Sequence, residues 1–500
     1  MRVAKVLESR VADYPNKTAF IFRDKAISFG QLKDTVFHFA NSLAALDIKK
    51  GDKIAIYLPN CPEYIYSYLA IWCLGATAVP LDFMLTEEEL VTCLSHSEAK
   101  ILISRPKENI SFAALKKKCH SLKDIICCHE NVKGIRYFDD LLYSGNNTFE
   151  EIEIHERDYA IIFYTSGTTG RPKGVLINYM QLAVPPNAMD HFVDLNNGDI
   201  TLCALPFSHL GGLIYIQNCI SFGLTVVLMD RFTPLEFLKN IESHKITCFW
   251  LVPSMYYALL HLKEFEKFDL SSLRWIVTFG ASNSPDALRR FNQFCPNAHL
   301  LNGWGLTETN APTTVLKMGS KKIESVGRPA PWAEVKIVDE HARLLPPGQI
   351  GEIVVKGAMV TDGYYKDPEA TKEAFKNGWF HTGDLGKFDE EGDLYIMGRK
   401  KEMIKVSGEI VFEPEVEAAL LKHPFIAEAA VIGMPDKLRG EVPKAFVVLK
   451  KEKPLQEEEL RYFLREHLAH FKIPHSFEFR DSLPKNRTGK IDKPKLRDTL

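Results

Sequence analysis

Short apolar runs alternate with stretches of helical periodicity from residue 28 to about residue 230, which narrows the choice of fold. Three of these runs cover residues 53–58, 100–104 and 224–229. Apolar runs of this length between helical stretches predict an α/β layered fold. A later run over residues 275–279 leads into small residues and then into a helical pattern with Pro285 near its start. Proteins of this class place ligands where a strand ends and a loop leads into a helix.

The composition is that of a soluble globular chain with nearly balanced charge. The 500 residues are 46% hydrophobic and 25% charged, and the formal net charge is -2. This length is sufficient for several domains. A protein whose main partner is nucleic acid usually carries a dense Lys/Arg face, and the sequence has no such basic block. We therefore predict small-molecule chemistry and no nucleic-acid partner.

The cysteines and the N-terminus indicate the compartment. All ten cysteines lie at or before Cys295, with no C-x-x-C pair and only Cys127 and Cys128 adjacent. This pattern has neither metal-ligand spacing nor a disulfide framework, and indicates buried thiols in a reducing compartment. Residues 1–8 lack the apolar core of a signal peptide, and no run of about 18 apolar residues occurs. We predict a cytoplasmic protein without a membrane span.

The character of the sequence changes twice in the second half of the chain. From Val335 onward, short strands and tight turns replace the helical stretches. A second change, near Gly398, begins about one hundred residues in which strands and helices mix. We therefore predict a large domain over residues 1–398, with a β-rich subdomain over about 330–398, and a small α+β domain over residues 399–500.

A loop rich in glycine and hydroxyl groups follows the apolar run at residues 158–163. It reads Tyr-Thr-Ser-Gly-Thr-Thr-Gly-Arg-Pro-Lys-Gly over residues 164–174. Glycines let backbone N–H groups face an anion, the hydroxyls add donors, and Arg171 and Lys173 add positive charge. Such residues also occur in surface turns, but their density favours a polyphosphate site. The loop is not a P-loop, because Gly174 follows the lysine where that motif has Ser or Thr.

Five further segments become interpretable once the loop is taken as a triphosphate site. In chain order they are residues 280–282, 302–308, 379–384, 398–409 and 484–491. Together with the loop, they resemble the motifs of the adenylate-forming (AMP-binding) superfamily, and in particular its acyl-CoA synthetases and fatty-acid–CoA ligases. The resemblance covers essentially the whole chain. It implies layered α/β subdomains, a β-rich subdomain and a small mobile α+β domain at the C-terminus.

The resemblance implies a site for ATP and Mg²⁺. Trp304 would stack near the adenine, and Asp384 would accept hydrogen bonds from the ribose. Thr307 would touch the α-phosphate, while Glu308 and Thr165 would approach the metal. The ATP-binding residues implied are Thr165, Ser166, Gly167, Thr168, Thr169, Gly170, Lys173, Gly280, Ala281, Asn302, Gly303, Trp304, Thr307, Asp384, Arg399 and Lys490. The catalytic residues implied are Lys490, Thr307 and Glu308.

The resemblance also implies two chemical steps. A carboxylate that attacks the α-phosphate builds negative charge on the attacking and bridging oxygens, and the ammonium of Lys490 can neutralise it. The small domain would then turn about Lys401 and withdraw Lys490 from the site. This rotation would bring Ser407 and Gly408 beside the thiol of coenzyme A.

The acid is less well defined than the reaction. His209 and Gly211 lie in a segment that resembles the acyl channel of the family, and Phe279 stands where the family often has glycine. For both His209 and Phe279 a purely structural role is open. Gly305 stands where acetate-specific members have a bulky Trp, so the pocket need not be short. No Lys or Arg in these segments offers a partner for a second carboxylate. We therefore predict an apolar monocarboxylic acid, either a medium- or long-chain fatty acid or an aromatic one.

Two alternatives are left open. The acceptor is either coenzyme A or the phosphopantetheine thiol of a stand-alone carrier protein. We expect no fused carrier domain, because the sequence ends ten residues past Lys490. The second alternative is a non-catalytic nucleotide-binding relative, although every motif position expected to touch MgATP holds a competent residue. A homodimer is also left open.

Overall fold

The computed structural model describes most of the chain, namely residues 1–142, 147–165, 172–280, 285–310, 312–407, 409–450, 455–485 and 491–499. Eight of the predicted site residues lie outside these described ranges: Ser166, Gly167, Thr168, Thr169, Gly170, Ala281, Gly408 and Lys490.

Two mostly parallel sheets form the body of the large domain. Their strands are β1 Thr18–Phe22, β2 Lys25–Ser28, β3 Lys53–Tyr57, β4 Thr77–Pro80, β5 Ile101–Ser104, β6 Asp124–Cys127, β7 Arg136–Tyr137, β8 Tyr159–Thr165, β9 Lys173–Asn178, β10 Ile200–Cys203, β11 Thr225–Leu228, β12 Cys248–Leu251, β13 Trp275–Thr278, β14 His299–Trp304, β15 Thr314–Val315 and β16 Arg328–Pro329. One sheet has the order β7-β6-β5-β3-β4-β8-β9, and the other β16-β15-β14-β13-β12-β10-β11-β1-β2. The predicted α/β layered fold is confirmed, with the expected apolar runs in β3, β5, β11 and β13.

Helices cover these sheets. They are α1 Val3–Asp13, α2 Phe29–Ala45, α3 Pro62–Cys73, α4 Glu87–Ser97, α5 Phe112–Lys118, α6 Phe138–Leu142, α7 Val184–Val193, α8 Leu210–Phe222, α9 Pro234–His244, α10 Pro253–Leu260 and α11 Pro285–Phe294. Capping boxes at Ser28 and Thr86 satisfy free backbone N–H groups at the starts of α2 and α4. One apolar core contains Ile54 of the first sheet and Val226 of the second, so the two sheets and the helices between them fold as one unit.

The predicted triphosphate loop connects two strands of a hairpin. β8 continues through Thr165, and β9 begins at Lys173, with these two residues paired in antiparallel register. A P-loop leads into a helix, whereas here the chain continues as a strand. The exclusion of a P-loop therefore agrees with the backbone on both sides of the loop.

The β-rich subdomain is a single antiparallel sheet. Its elements are β17 Ala333–Val338, β18 Gly351–Gly357, α12 Pro368–Ala374, β19 Phe375–Lys376, β20 Trp379–Phe388 and β21 Leu394–Arg399. The order is β17-β18-β20-β19, and β21 pairs with the other side of β20. The change from alternating helices and strands to strands and turns corresponds to this sheet. The domain boundary at residues 398 and 399 stays a prediction.

The C-terminal part of the chain is a small α+β unit. Its elements are β22 Met403–Val406, β23 Glu409–Phe412, α13 Glu413–Leu421, β24 Ile426–Asp436, β25 Gly440–Leu449, α14 Glu457–Arg465, β26 Ser476–Phe479 and α15 Lys493–Arg497. The sheet order is β23-β22-β25-β24, with β26 parallel to β25. In the portion of the chain that the structure describes, none of the helices has both the length and the apolar character needed to cross a bilayer.

Candidate active site

Three of the predicted nucleotide ligands meet beside the end of β14. Asp384 and Arg399 are direct partners across the β20–β21 hairpin, with Asp384 Oδ1 and Arg399 Nε 3.1 Å apart. Trp304, the last residue of β14, donates from its indole Nε1 to Asp384 Oδ2 over 2.9 Å. Asp384 and Trp304 are buried, whereas the Arg399 side chain is 44% exposed. The ion pair therefore places the partly exposed guanidinium of Arg399 against the buried carboxylate of Asp384.

Local structure holds Asp384 in this position and leaves it able to accept further bonds. Its backbone N–H donates to the Thr382 hydroxyl over 3.0 Å, and Thr382 donates to the Ile353 carbonyl over 2.7 Å. Burial raises the pKa of Asp384, while Arg399 and the bond from Trp304 oppose the shift. Oδ1 is buried and accepts no hydrogen bond from any described residue, although Arg399 Nε lies 3.1 Å from it. Such an atom can accept a hydroxyl group of a ligand.

A second group forms where the β8–β9 hairpin meets the segment after β14. The Tyr364 hydroxyl donates to Glu308 Oε1 over 3.0 Å, and the Lys173 ammonium lies 5.1 Å from the centre of the Tyr364 ring. Thr165 lies opposite Lys173 on the neighbouring strand. Burial is the main cause that raises the pKa of Tyr364, with Glu308 adding to it, so the phenol stays a proton donor. Lys173 of the hairpin and Glu308, the predicted metal ligand, therefore both contact Tyr364.

Tyr364 is a site residue that sequence reasoning missed. It forms a bridge to Val175 of β9, and the backbone N–H of Tyr365 donates to the Gly174 carbonyl over 2.7 Å. These bonds fasten the segment to the hairpin and so position the phenol over Glu308, fifty-six residues earlier. The only local signal is a pair of tyrosines after Gly363, and nothing in that pattern indicates a contact with Glu308.

The small-residue segment and the end of β14 pack tightly together. A Cβ atom on Gly303 would approach Cε1 of Phe279 to 2.1 Å, so the phenyl ring lies directly against the Gly303 backbone. Gly280 adopts a φ of +89°, a conformation that glycine reaches without strain. Asn302 is buried and donates to the Ser325 carbonyl over 3.2 Å. The predicted ATP contacts of Asn302, Gly303 and Gly280 stay predictions.

His209 lies at the start of α8, at the predicted acyl channel. Its Nε2 is 3.5 Å from Asp82 Oδ2, and the side chain is 37% exposed. Gly211, in the first turn of the same helix, is exposed, and Gly305, just after β14, is partly buried. His209 is therefore not a fully buried core histidine. Asp82 is a charged neighbour that sequence reasoning missed, since more than one hundred residues separate it from His209.

The predicted hinge residue lies where the chain leaves the β-rich sheet, and the predicted thiol-side residue Ser407 follows β22 of the small unit. Lys401 belongs to a single helical turn, Lys400–Glu402, between β21 and β22. The Lys400 ammonium lies 3.5 Å from Glu352 Oε2 of β18, which ties this turn to the β-rich sheet. Ser407 is exposed with a φ of +52°. The pivot at Lys401 and the role of Ser407 stay predictions, and the predicted partner Gly408 lies outside the described residues.

Family models match the chain over most of its length. The model of the AMP-binding enzyme matches residues 7–365, and that of the AMP-binding enzyme C-terminal domain matches residues 415–490. These two ranges include the hairpin, Glu308 and the loop that carries Lys490.

Individual relatives agree with the family match. The chain is 34% identical to a long-chain-fatty-acid–CoA ligase of Bacillus subtilis (strain 168), across 98% of this chain and 93% of that protein. The crystal structure of an anthranilate CoA ligase in complex with anthranoyl-AMP matches with a TM-score of 0.93, at 28% identity, over 100% of this chain and 97% of that one. An o-succinylbenzoate coenzyme A synthetase from Bacillus subtilis, in complex with ATP and magnesium ion, matches with a TM-score of 0.86, at 32% identity, over 99% of both chains.

The family models and the relatives together define the class of this enzyme. The chain belongs to the AMP-binding enzyme family, the adenylate-forming superfamily, and within it to the acyl-CoA synthetases. It is an ATP-dependent carboxylic acid–CoA ligase that uses ATP, Mg²⁺ and coenzyme A. The site fits these groups: Asp384 Oδ1 is a buried acceptor that receives no hydrogen bond from the described residues, and the bond from Tyr364 leaves acceptor positions on Glu308 for a hard cation.

We expect Asp384→Asn to weaken ATP binding more than turnover. The amide is close in shape but has lost one acceptor oxygen and the charge that faces Arg399. Loss of a charge-assisted hydrogen bond corresponds to a rise in KM for ATP of about 10- to 100-fold. Initial rates against ATP concentration at saturating acid give this value, with a melting curve of each variant to check folding. An unchanged KM for ATP would remove Asp384 from the nucleotide site.

Proposed function

We propose that the enzyme converts an apolar monocarboxylic acid, a medium- or long-chain fatty acid or an aromatic acid, into its coenzyme A thioester through an acyl-adenylate. The observation that carries the choice of acid is Asp82, whose carboxylate lies 3.5 Å from Nε2 of His209 in the predicted acyl channel. A negative side chain at this point repels a second carboxylate on the substrate. Phe279 contributes an apolar face against Gly303 on the nucleotide side.

The names of two relatives support an acid of the proposed class. One acts on long-chain fatty acids and another on anthranilate, which is aromatic. The o-succinylbenzoate relative marks the second carboxylate as the feature to test, because that acid carries two. Asp82 is the reason that we favour the monocarboxylic class for this chain.

The proposed first step forms the mixed anhydride. A carboxylate oxygen of the acid attacks the α-phosphorus of ATP, the bond to the bridging oxygen breaks, and pyrophosphate leaves. Lys173 and Thr165 would hold the leaving phosphates, and Glu308 would hold Mg²⁺, whose charge offsets that of the phosphates. Thr307 and Lys490 would stabilise the charge that develops around the α-phosphorus. Trp304, Asp384 and Arg399 would fix the nucleoside.

The proposed second step transfers the acyl group. The thiol sulfur of coenzyme A attacks the acyl carbonyl carbon, AMP leaves, and the thiol proton passes to solvent. Rotation about Lys401 would exchange Lys490 for Ser407 and Gly408 at the site, because one pocket does not hold the groups of both steps at once. Transfer to a carrier-protein thiol, a homodimer and a cytoplasmic location stay predictions.

Matched acids test the proposed class directly. Thioester formation with octanoate and octanedioate, which share chain length and differ in the second carboxylate, isolates the charge. We expect kcat/KM for the monocarboxylic acid to exceed that for the dicarboxylic acid by at least about 100-fold, because the second charge would be desolvated beside Asp82. Benzoate and phthalate form the aromatic pair. Equal kcat/KM values within each pair would contradict the proposal.

Phe279→Ala is expected to shift the preference toward bulkier acids. Removal of the ring opens space against Gly303 without changing the Gly303 backbone. We expect kcat/KM for the longest or widest acids to rise by about 10-fold relative to the shortest accepted acid, since each methylene in an apolar pocket changes binding by about 1–3 kcal/mol. Ratios measured in mixtures of two acids give this shift. An unchanged ratio with a lower melting temperature would mean that Phe279 serves the core alone.

A further inference from the structure

A cysteine, a glutamate and a histidine meet at the carboxyl ends of β3 and β6. Cys61 immediately precedes α3, Glu63 lies in the first turn of that helix, and His129 follows β6. The Cys61 sulfur, a carboxylate oxygen of Glu63 and a ring nitrogen of His129 all lie within 4.8 Å of one another. Cys61 and His129 are 68 positions apart in the sequence, and the parallel sheet brings them together.

One carboxylate oxygen of the cluster is buried and receives no hydrogen bond from the described part of the chain. This atom, Glu63 Oε2, lies 3.6 Å from His129 Nε2. Buried carboxylate oxygens without hydrogen bonds are rare in folded proteins. Cys61 is 1% exposed, whereas the His129 side chain is 39% exposed. The cluster is thus enclosed on the cysteine side and open to solvent on the histidine side.

We propose that Cys61, Glu63 and His129 form a zinc-binding site, with water as the fourth ligand. Sulfur, imidazole nitrogen and carboxylate oxygen are the donors that Zn²⁺ accepts, whereas Mg²⁺ and Ca²⁺ take oxygen. On binding, the Cys61 thiol gives its proton to solvent, and the thiolate and the Glu63 carboxylate together balance the charge of the ion. Ligand atoms around tetrahedral zinc lie about 3.3–3.8 Å apart. Glu63 Oε2 and His129 Nε2, 3.6 Å apart, already have this spacing. The remaining ligand atoms lie within 4.8 Å of one another, so they close by at most about 1.5 Å.

The surroundings of the cluster favour a formed site. The Asn60 side chain donates to the Leu205 carbonyl over 2.9 Å and accepts from the Phe207 N–H over 2.9 Å, which fixes the chain just before Cys61. Burial and the charge of Glu63 raise the pKa of the Cys61 thiol, and the charge of Arg105 opposes this shift. Asp139 adds a negative charge near His129.

Metal titration tests the proposal on the full-length enzyme. In chelator-treated buffer without ATP, Zn²⁺ is titrated against a chromophoric chelator, and Co²⁺ is used to record the thiolate-to-metal charge-transfer band. We expect one equivalent of Zn²⁺ per chain and that band with Co²⁺. Cys61→Ser abolishes the band, and Glu63→Gln and His129→Asn each lower Zn²⁺ affinity by at least about 100-fold. Zn²⁺ raises the melting temperature of the wild type and leaves that of His129→Asn unchanged.

Matched controls separate this site from other metal ligands. His120→Asn removes another exposed histidine, and Cys295→Ser another buried cysteine, and both keep the equivalent of Zn²⁺. Glu308→Gln also keeps it, because that residue belongs to the proposed Mg²⁺ site. Because His129 is exposed, its variant is expected to fold. Unchanged Zn²⁺ affinity in folded His129→Asn, or no equivalent bound by the wild type, overturns the proposal.

Discussion

Lys490→Ala is expected to slow adenylate formation by about 10²- to 10³-fold, the loss typical of one group that stabilises developing charge. Thiol transfer from supplied acyl-adenylate should fall far less, because Lys490 has left the site in that step. Exchange of labelled pyrophosphate into ATP measures the first half-reaction, and single-turnover thioester formation from synthetic acyl-adenylate measures the second. Equal losses in both would contradict the role proposed for Lys490.

The residues on both sides of the Lys490 loop are held independently of Lys490, so the two half-reactions can be compared in a folded variant. Lys490 lies outside the described residues, but Lys485 and Ile491 pair as an antiparallel bridge across the base of the loop. α15, which follows, is held by Lys493, whose ammonium lies 2.8 Å from Glu413 Oε2 in the core of the small domain. Substitution of Lys490 leaves this base in place.

Lys485→Ala is the matched control. Its ammonium lies 2.8 Å from Glu428 Oε1 and its side chain is 47% exposed, so the pair contributes at most about 1 kcal/mol. Lys485→Ala also removes one lysine charge, at the base of the loop that carries Lys490. We expect both half-reactions to stay within about 3-fold of wild type, as that small contribution implies.

Glu308→Gln is expected to lower the rate of adenylate formation by about 10²- to 10³-fold and to raise the Mg²⁺ concentration needed for half-maximal rate. Glutamine keeps the shape and can still accept a bond from Tyr364, so the change removes mainly the negative charge that would hold the metal. The measurement is pyrophosphate exchange across a Mg²⁺ series at saturating ATP. Wild-type rates at wild-type Mg²⁺ would contradict the metal role.

Tyr364→Phe is the control for this second expectation. It removes the 3.0 Å hydrogen bond to Glu308 while the ring stays under the Lys173 ammonium. Because a single hydrogen bond to a charged group is worth about 1.5–3 kcal/mol, we expect a loss of about 10- to 100-fold, smaller than that of Glu308→Gln. A larger loss than in Glu308→Gln would make Tyr364 the dominant residue of the pair.

Elements with a strong local pattern were predictable from the sequence. The apolar runs became β3, β5, β11 and β13, because a short apolar run flanked by helices has few other ways to be buried. Trp304, Asp384 and Arg399 were recognised by motif, and the β20–β21 hairpin explains why the last two meet. In these cases either local sequence or a family motif carried the information.

Contacts between distant segments were not predictable. The pairs Glu308–Tyr364, His209–Asp82 and Cys61–His129 depend on how sheets and segments pack, and no spacing in one chain encodes that packing. The spacing of the cysteines along the chain predicted no metal site. Cys61 and His129 come together only because the strands before them, β3 and β6, run parallel in the same sheet. The sequence therefore indicated the nucleotide chemistry and did not reveal the contacts of Tyr364 and Asp82.

Acid-dependent exchange of labelled pyrophosphate into ATP reports formation of the acyl-adenylate alone. The assay requires only the enzyme, MgATP, pyrophosphate and an acid, and it proceeds without coenzyme A. We expect exchange with apolar fatty or aromatic monocarboxylic acids and none without acid. Absence of exchange across a panel of fatty acids of increasing length and of aryl acids, with folded enzyme, would contradict it.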